Sequence, residues 1–442
     1  MALAPGEARK DLSADALFQV LHRHFASFPD SRSGEVEIPL ADALMSAFAM
    51  FSLKDPSLLA FDHRRGNPTD NFRTIYGINY VPCDSQMRAI LDPLDPAGMR
   101  VPFREIFRRL QRGTVLKRFL YWDDHYLLSL DGTTYFSSSK IHCSSCLEKH
   151  HRNGNITYSH QLLGATLVHP DLKEVIPLAP EPIIQQDGQT KNDCERNATR
   201  RWLKQFRQEH PHLPVIVVED ALSANAPHLR DLREARAHYI IGVKPGDHAF
   251  LFEHLRTLDE AGQIQVLTLV DPATGVLHHF RFCSAAPLNE SNPDELVNVL
   301  EYWEVDPDGT VQHFSWITDL DLSAETVWDI MRGGRARWKI ENETFNTLKN
   351  QGYHLEHNYG HGEQNLSVVL ALLMMLAFLV DQVQQLCCPV FRAAWNKMKT
   401  KCQLWEEIRS HFRTLLFDSM TELLMALVRG IAPQRPVFEN ST

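Results

Sequence analysis

The sequence lacks the features of an exported or membrane protein. Its start, MALAPGEARKDLSADALFQV, has no apolar signal core behind basic residues, and its eight cysteines are scattered along the chain. The longest apolar run, at 366–380, is about fifteen residues, which is short of the roughly 20 that cross a bilayer. We therefore expect a cytoplasmic protein without a membrane partner, in which this run forms a buried helix.

The sequence also lacks repeats, low-complexity segments and any strong bias in composition. Apolar residues make up 44% of the chain and charged residues 23%, which is ordinary for globular proteins and disfavours disorder. At 442 residues the chain is too long for one compact core. We expect two or three domains, each with its own apolar interior.

An excess of positive charge is missing as well. The chain has 45 Lys and Arg against 55 Asp and Glu, a net charge of −10, which taken as one number disfavours a nucleic-acid partner. The cations are nevertheless concentrated in four runs, any one of which could be a solvated helix face. Four such runs in an acidic chain indicate a basic face opposite an acidic one. They lie at 104–118, 196–207, 332–339 and 392–401.

The hydrophobic periodicity changes along the chain. Apolar residues recur at helical spacing up to about residue 120, and strand runs at 126–131, 160–170 and 173–184 then predict a three-stranded meander. Helix and strand patterns alternate as far as 243, which gives the order βββαβαβ. The predicted regions are a helical one at 1–120, an α/β core in two parts at 121–243 and 315–380, a β-rich insertion at 244–314, and a helical one at 381–442.

Two carboxylates stand at the ends of predicted strands. Asp131 ends an apolar strand, and Asp220 ends a short, fully apolar, β-branched strand. Neighbouring strands of a mixed sheet could present both acids side by side, as oxygen ligands for Mg²⁺. Each acid taken singly is more often a turn former or a helix cap.

A third carboxylate lies in the segment RWKIENETFNTLK, which begins at Arg337. On a helix Arg337 and Glu341 are one turn apart, and Lys349 follows about two turns later. A carboxylate between cations could ligate a metal while its neighbours bind phosphates. The alternative is an exposed helix with salt bridges between residues four apart.

Three of these segments together resemble one family. LSLDGTTY, VVEDALSA and RWKIENETFNTLK resemble the first-Asp strand, the second-Asp strand and the Glu helix of bacterial insertion-sequence DDE transposases. That group has a ribonuclease-H-like core with a β-strand insertion between the second Asp and the Glu, and the order of elements matches over about residues 120–365. The resemblance implies an α/β fold, with a ribonuclease-H-like mixed sheet flanked by helices and helical regions at both ends.

The resemblance also implies the roles of particular residues. Asp131, Asp220 and Glu341 become the ligands of two Mg²⁺ or Mn²⁺ ions, and Arg337 and Lys349 become phosphate contacts. The match departs from the family at two positions. The family's tyrosine seven residues before the Glu is Gly334 here, and its lysine seven residues after the Glu is Lys349, eight after Glu341. Because Lys349 lies six after Glu343, Glu343 stays open as the third ligand.

The activity implied by the resemblance is metal-dependent cleavage and strand transfer at insertion-sequence ends. Water nicks an element end, and the freed 3′-hydroxyl attacks the opposite strand or target DNA, in a cut-and-paste route. The implied partners are double-stranded DNA, as terminal inverted repeats and target, and a second copy of the chain, in the bacterial nucleoid. Two alternatives are an inactive transposase relative that only binds DNA, and a ribonuclease-H-like nuclease outside transposition.

Further DNA contacts are predicted from the basic runs and from aromatic residues. Arg64, Arg65 and Arg73 of the N-terminal helices are candidates for end recognition. Two tryptophans of the β insertion could stack on an extruded base, although a buried core position explains each of them as well. The remaining predicted DNA-binding residues are Arg335, Lys339, Arg108 and Arg109, and the two tryptophans are Trp303 and Trp316.

A cysteine pair indicates a second kind of site. Cys143 and Cys146 have Cys-x2-Cys spacing, and with His150 nearby they could form a structural zinc knuckle. No second Cys-x2-Cys occurs at zinc-finger spacing, so a flexible loop between the first two strands is the alternative. The histidines in HLEHNYGHG, residues 354–362, resemble a stretch after the Glu helix in the same transposases, which favours DNA contact or packing.

Overall fold

The computed structural model describes residues 10–33, 36–66, 70–185 and 193–430, and the start of the chain lies outside these ranges. The N-terminal helices are α1 (Ala14–Ala26), α2 (Leu40–Ser52), α3 (Leu58–Arg65), α4 (Asn71–Tyr76), α5 (Asp84–Leu91) and α6 (Arg100–Arg112). Serines cap α1 and α3, where Ser13 and Ser57 accept hydrogen bonds from first-turn backbone N–H groups. The predicted helical N-terminal region is therefore present.

The middle of the chain alternates strands and helices. Its first half contains β1 (Tyr126–Ser138), β2 (Leu147–His150), β3 (Ile156–Val168), β4 (Ile176–Pro177), β5 (Glu181–Ile183), α7 (Glu195–Glu209), β6 (Val215–Glu219), α8 (Ala226–Glu234) and β7 (His238–Gly242). Its second half contains α9 (Ala249–Glu260), β8 (Gln265–Val270), β9 (Leu277–Asn289), β10 (Asn292–Val305) and β11 (Val311–Thr318).

The described residues after β11, up to 430, contain helices and no further named strand. These helices are α10 (Val327–Arg335), a π-helical turn (Ile340–Phe345), α11 (Asn346–Asn350), α12 (Leu366–Cys387), α13 (Pro389–Met398), α14 (Lys401–Thr414) and α15 (Met420–Arg429).

One mixed sheet contains all eleven strands. Its order is β2-β3-β1-β6-β7-β11-β10-β9-β8, and β4 and β5 both pair with β3. The pairs β1–β6 and β6–β7 are parallel, and the other pairs are antiparallel. The central strand β6, VIVVE, is buried along its whole length, as expected for a parallel strand with layers on both faces. The predicted fold class, a mixed sheet flanked by helices with helical regions at both ends, is confirmed.

The insertion between the second Asp and the Glu helix extends this sheet. β11 pairs antiparallel with β7, and β10, β9 and β8 continue outward from it. The predicted β-rich stretch is thus present, but its strands join the main sheet and do not form a separate layer. The insertion also begins with α9, which the sequence analysis missed because Leu251 and Leu255 are its only buried residues. The division into five regions stays a prediction.

The long apolar helix α12 lies inside the molecule. It has 22 residues and is long and apolar enough to cross a membrane, but 94% of its most apolar stretch is buried within the protein. It packs against α2, whose residues are also almost all buried. The helix predicted at 366–380 is therefore a core helix, seven residues longer than its apolar run because polar Asp381, Gln382, Gln384 and Gln385 are buried too.

A buried ion pair joins α12 to the N-terminal helices. Nζ of Lys54, which follows α2, lies 2.6 Å from Oδ2 of Asp381, and both side chains are almost fully buried. The hydroxyl of Tyr353, in the segment after α11, donates a hydrogen bond to the same carboxylate. Burial lowers the pKa of Lys54 and raises that of Asp381, while their attraction opposes both shifts. This ion pair therefore holds together three segments that are distant in the sequence, namely the N-terminal helices, the segment after α11, and α12.

The Lys54→Met variant should be strongly destabilised, because it leaves the Asp381 carboxylate buried without its cation. Breaking a buried pair costs about 3–5 kcal/mol, whereas replacing both charges by apolar groups is often neutral. We expect the Lys54→Met/Asp381→Leu double variant to recover most of the lost stability in denaturant unfolding. Equal instability of the single and double variants would contradict this account of the pair.

Candidate active site

The first two acids lie on neighbouring strands at the point where β6 ends. Asp131 lies inside β1, which continues to Ser138 in its pairing with β3, so the prediction that it ends its strand is wrong, whereas Asp220 directly follows β6. The parallel strands β1 and β6 are in register from Tyr126 with Val215 to Ser129 with Val218. Asp131 and Asp220 each lie two residues beyond that last pair, so they occupy matching positions on neighbouring strands. Oδ1 of Asp220 accepts a hydrogen bond from the backbone N–H of Leu222 at 3.0 Å. Asp220 is thus a turn cap as well, with one carboxylate oxygen not used in that bond.

The third acid reaches the first through an arginine. Nη1 of Arg337 lies 2.7 Å from Oε1 of Glu341 and 3.6 Å from Oδ2 of Asp131. One guanidinium nitrogen therefore bridges two carboxylates that are more than two hundred residues apart in sequence. The Arg337 side chain is only 13% exposed, so this contact is shielded from solvent.

The Glu341 segment packs directly on the strand pair that carries Asp131. Asp131 pairs with Gly164 of β3, and a Cβ placed on Gly164 would lie 2.7 Å from Cζ of Phe345. The missing side chain at 164 therefore lets the helical segment approach the sheet closely. This approach brings Glu341 to the edge where Asp131 and Asp220 lie.

A fourth acid, Glu195, joins the cluster and was missed by the sequence analysis. It is the first residue of α7, and a Cβ added to Gly132 would lie 2.7 Å from its Oε2. Acids are common in the first turn of helices, so Glu195 gave no signal by itself. The glycine directly after Asp131 was the available clue, because it leaves room for a neighbouring group.

Burial and the neighbouring acids raise the pKa values of Asp131 and Glu195. Burial raises the pKa of Asp131 to about 7, with Glu195, Glu341 and Asp220 adding to the rise and Arg337 opposing it. Burial and the charge of Asp220 also raise the pKa of Glu195. Four carboxylates with one bridging arginine leave an excess of negative charge in a half-buried place. Carboxylate oxygens are the ligands that Mg²⁺ prefers, and in this structure the Arg337 guanidinium lies between Asp131 and Glu341.

The neighbouring acids Glu219 and Glu343 face other groups. Oε2 of Glu219 lies 2.5 Å from Nε2 of His228 on α8. Glu343 acts electrostatically on Lys339 and Lys401, whose pKa values are lowered by burial and raised by this carboxylate. Contact with Arg337 favours Glu341 over Glu343 as the third member of the cluster.

A π-helical turn accounts for the unusual position of Lys349. The turn covers Ile340–Phe345, and the N–H of Asn346 donates to the carbonyl of Glu341, five residues back. Such a turn takes up one more residue than an α-helical turn, so it acts as a one-residue insertion. Lys349 lies eight residues after Glu341. The extra residue of the π-helical turn brings Lys349 back towards the helix face that the seventh residue after Glu341 would occupy in an uninterrupted α-helix.

The other predicted DNA-binding cations all have partners within the chain. Nη1 of Arg335 lies 2.5 Å from Glu304, and Nζ of Lys339 donates to the carbonyl of Leu172 at 2.6 Å. Lys349 pairs with the exposed Glu356 at 2.8 Å. On α6, Glu105 pairs with Arg108 at 3.1 Å and with Arg109 at 3.3 Å. Among the N-terminal candidates, Arg64 pairs with Asp55, Arg65 with Asp62, and Arg73 with Asp70.

The tryptophans differ in exposure. Trp316 is only 5% exposed, so stacking on a base is wrong for it and the core alternative holds. A Cβ on Gly334 would lie 2.6 Å from the Trp316 indole, which explains why no tyrosine fits at 334. Trp303 is half-buried and stacks on His313 with ring centroids 4.4 Å apart. Trp338, which the sequence analysis missed, is 49% exposed and lies beside the Arg337 guanidinium.

His150 does not accompany the cysteine pair, so that part of the predicted zinc site is wrong. Its side chain is 68% exposed and contacts Glu148. The side chains beside Cys143 and Cys146 are two other histidines, His160 and His361.

Part of the chain is similar to a known family of proteins. Residues 171–379 match the family model described as Transposase DDE domain, a stretch slightly under half of the chain that includes Asp220 and Glu341. This stretch of the chain is similar to the transposase DDE domain, and the resemblance to DDE transposases is confirmed. No curated protein matches the chain.

A cryo-EM structure of a piggyBac transposase synaptic complex with hairpin DNA is similar at a TM-score of 0.45 and 10% identity, covering 98% of this chain and 87% of that chain.

The raised pKa of Asp131 predicts a stability that depends on pH. Between about 4 and about 7 the native protein holds a proton on Asp131 that the unfolded chain has released, so metal-free stability falls as pH rises through this window. We expect Asp131→Asn to raise the melting temperature by a few °C at about pH 8 in chelator, with little effect at about pH 4. Added Mg²⁺ should stabilise the wild type and not the variant.

The control for this experiment is Asp124→Asn, which changes an exposed acid just before β1. It should leave the pH profile unchanged. A rise in melting temperature for Asp131→Asn that is equal at both pH values would contradict repulsion among the acids in the metal-free protein.

Proposed function

We propose that the chain is a DNA transposase that cleaves and joins DNA at insertion-sequence ends by a cut-and-paste route. The observation that carries the proposal is the convergence of Asp131 and Glu341 on Arg337, in a chain of which part is similar to the transposase DDE domain. Asp220 and Glu195 complete the acid cluster. In this proposal Asp131, Asp220 and Glu341 are the metal ligands.

The cations to be held are two Mg²⁺ or Mn²⁺ ions. When bound, such ions would activate water or a 3′-hydroxyl and stabilise the leaving oxygen of a phosphodiester. The raised pKa of Asp131 supports this assignment, because the acid cluster lacks a compensating positive charge of sufficient size. Glu195, against Gly132, adds negative charge to the same place and favours cation binding there.

Arg337 is the first phosphate contact that we assign. Its guanidinium balances Asp131 and Glu341 in the protein alone, and a bound cation would release it from that role. It would then be free to hold a non-bridging phosphate oxygen beside the reacting bond. The exposed indole of Trp338 next to it is suited to contact a nucleotide base at the same point.

Lys349 is the second assigned phosphate contact. Its partner Glu356 is 63% exposed, so the ion pair is easily exchanged for a phosphate. Arg335 pairs with Glu304, and Lys339 donates a hydrogen bond to a backbone carbonyl. These partners support a structural role for both cations.

The reaction would use one site twice. Hydrolysis breaks a phosphodiester at the element end and leaves a 3′-hydroxyl and a 5′-phosphate. The 3′-hydroxyl then replaces another 3′-oxygen at phosphorus, either on the opposite strand or in target DNA, with no net change in the number of phosphodiester bonds. The residues of the site have to align these groups and shield them from bulk water.

Recognition of two element ends requires further surfaces and a second copy of the chain. Exposed Arg108, Arg112, Lys117 and Arg118 form a basic surface at the end of the 1–120 region, which we propose as a DNA-binding region. A homodimer in the bacterial nucleoid would then hold both terminal inverted repeats. The core regions 121–243 and 315–380, the insertion 244–314 and the region 381–442 would complete each subunit.

Metal-dependent nicking of inverted-repeat DNA tests the proposal. Asp131→Asn, Asp220→Asn and Glu341→Gln should each reduce the nicking rate by about 10³-fold or more, because each removes a proposed metal ligand. Glu343→Gln is the matched control, two residues from Glu341, and should keep nearly full activity. Loss of activity in Glu343→Gln with a normal Glu341→Gln would overturn the assignment of the third ligand.

The same assay separates the alternatives. Wild-type protein that binds the repeats without cutting them in Mg²⁺ or Mn²⁺ would be an inactive DNA-binding relative. Cutting without preference for element ends would indicate a ribonuclease-H-like nuclease outside transposition. End-specific cutting followed by strand transfer is the result that we expect.

A further inference from the structure

Four metal-binding side chains converge at a second place in the molecule. Cys143 and Cys146 lie in the loop between β1 and β2, His160 lies in β3, and His361 lies in the loop before α12. Their ligand atoms are all within 4.8 Å of one another. Cys146, His160 and His361 are buried, and Cys143 is half-buried at the rim.

The separations of these atoms match the edges of a tetrahedral zinc site. With Zn–S near 2.3 Å and Zn–N near 2.0–2.1 Å, a regular tetrahedron has edges of about 3.8 Å between sulfurs and about 3.5 Å between sulfur and nitrogen. The two Sγ atoms lie 3.9 Å apart. Nε2 of His160 lies 3.4 Å from Sγ of Cys143, and Nε2 of His361 lies 3.5 Å from Sγ of Cys146.

The histidine rings are oriented as ligands. Both direct Nε2 at the cysteines, and in the described part of the chain the buried Nδ1 atoms of His160 and His361 have no hydrogen-bond partner. A neutral imidazole with its proton on Nδ1 has the Nε2 lone pair free for a metal. The ring of His361 packs on Phe136 with centroids 4.4 Å apart, which fixes its orientation.

We propose that Cys143, Cys146, His160 and His361 bind one structural Zn²⁺ ion. Two thiolates and two imidazoles are a soft donor set that selects zinc over the hard cations of the acid cluster. Four protein ligands leave no open position for water or substrate, which is the arrangement of a structural site and not of a catalytic one. The set takes His160 and His361 in place of the predicted His150.

The ion would join two segments that directly follow the elements carrying Asp131 and Glu341. Cys143 and Cys146 follow β1, which contains Asp131, and His361 lies in the segment after the Glu341 helix. The other side of that segment is held by Asp92, whose carboxylate accepts backbone N–H groups from Glu363 to Leu366 at 2.9–3.1 Å. Zinc would therefore fix the segment that contains His361 against the paired strands β1 and β3, in addition to the hydrogen bonds of this segment to Asp92.

The metal content of the full-length protein tests this inference. Protein purified without a histidine tag or chelator should contain about one zinc per chain by inductively coupled plasma mass spectrometry. Cys143→Ser and His361→Gln should each lower the zinc content to a small fraction of that value. His150→Gln and Cys402→Ser, which change an exposed histidine and an exposed cysteine, are the matched controls and should retain the zinc.

A second measurement applies even if the ligand variants fail to fold. Wild-type protein produced in cobalt-supplemented medium should show thiolate-to-cobalt charge-transfer absorption and the visible bands of tetrahedral Co²⁺. Wild-type protein without zinc or cobalt, or with a Cys143–Cys146 disulfide found by mass spectrometry, would overturn the proposal. So would loss of zinc in His150→Gln. None of these readouts depends on DNA cleavage, so they are independent of the transposase assignment.

Discussion

Electrostatic repulsion among carboxylates at one edge of the sheet is the constraint on which the rest of the structure depends. Asp131, Asp220, Glu195 and Glu341 come from four separate segments, and burial beside like charges raises the pKa of Asp131 and that of Glu195. Arg337 is the cation that holds Asp131 and Glu341 together in the protein alone. The free energy that keeps these acids close therefore comes from packing in other parts of the fold.

That packing has two recognisable supports. Glycines at 132 and 164 leave room for Glu195 and for Phe345, so that α7 and the Glu341 segment lie directly against β1 and β3. The buried pair of Lys54 and Asp381 joins the N-terminal helices to α12 and, through Tyr353, to the segment after the Glu helix. Apolar burial along α12 provides the main driving force for this assembly.

Much of the fold could be predicted from sequence, because its signals are local. The apolar, β-branched run of β6 and the apolar run at 366–380 each follow from burial of one element. The extension of the sheet by β8 to β11 was not predictable in this way, since strand pairing between β7 and β11 depends on residues more than seventy positions apart. The helix α9 was missed because only two of its residues are buried.

The site could be predicted only in part, because it too depends on contacts between residues that are distant in the sequence. Motifs gave Asp131, Asp220 and Glu341, and these three lie in one cluster. Glu195 belongs to no motif and enters the cluster by tertiary packing alone. The π-helical turn gives a structural reason for the extra residue before Lys349, which spacing alone left ambiguous between Glu341 and Glu343.

We propose that these carboxylates hold divalent cations, and crystals grown with Mn²⁺ can test this when they are measured at wavelengths on both sides of the manganese absorption edge. We expect anomalous density between the carboxylates of Asp131, Asp220 and Glu341, with Arg337 released from at least one acid. Density at Glu343 instead of Glu341, or none within coordination distance of Asp131 and Asp220, would contradict it.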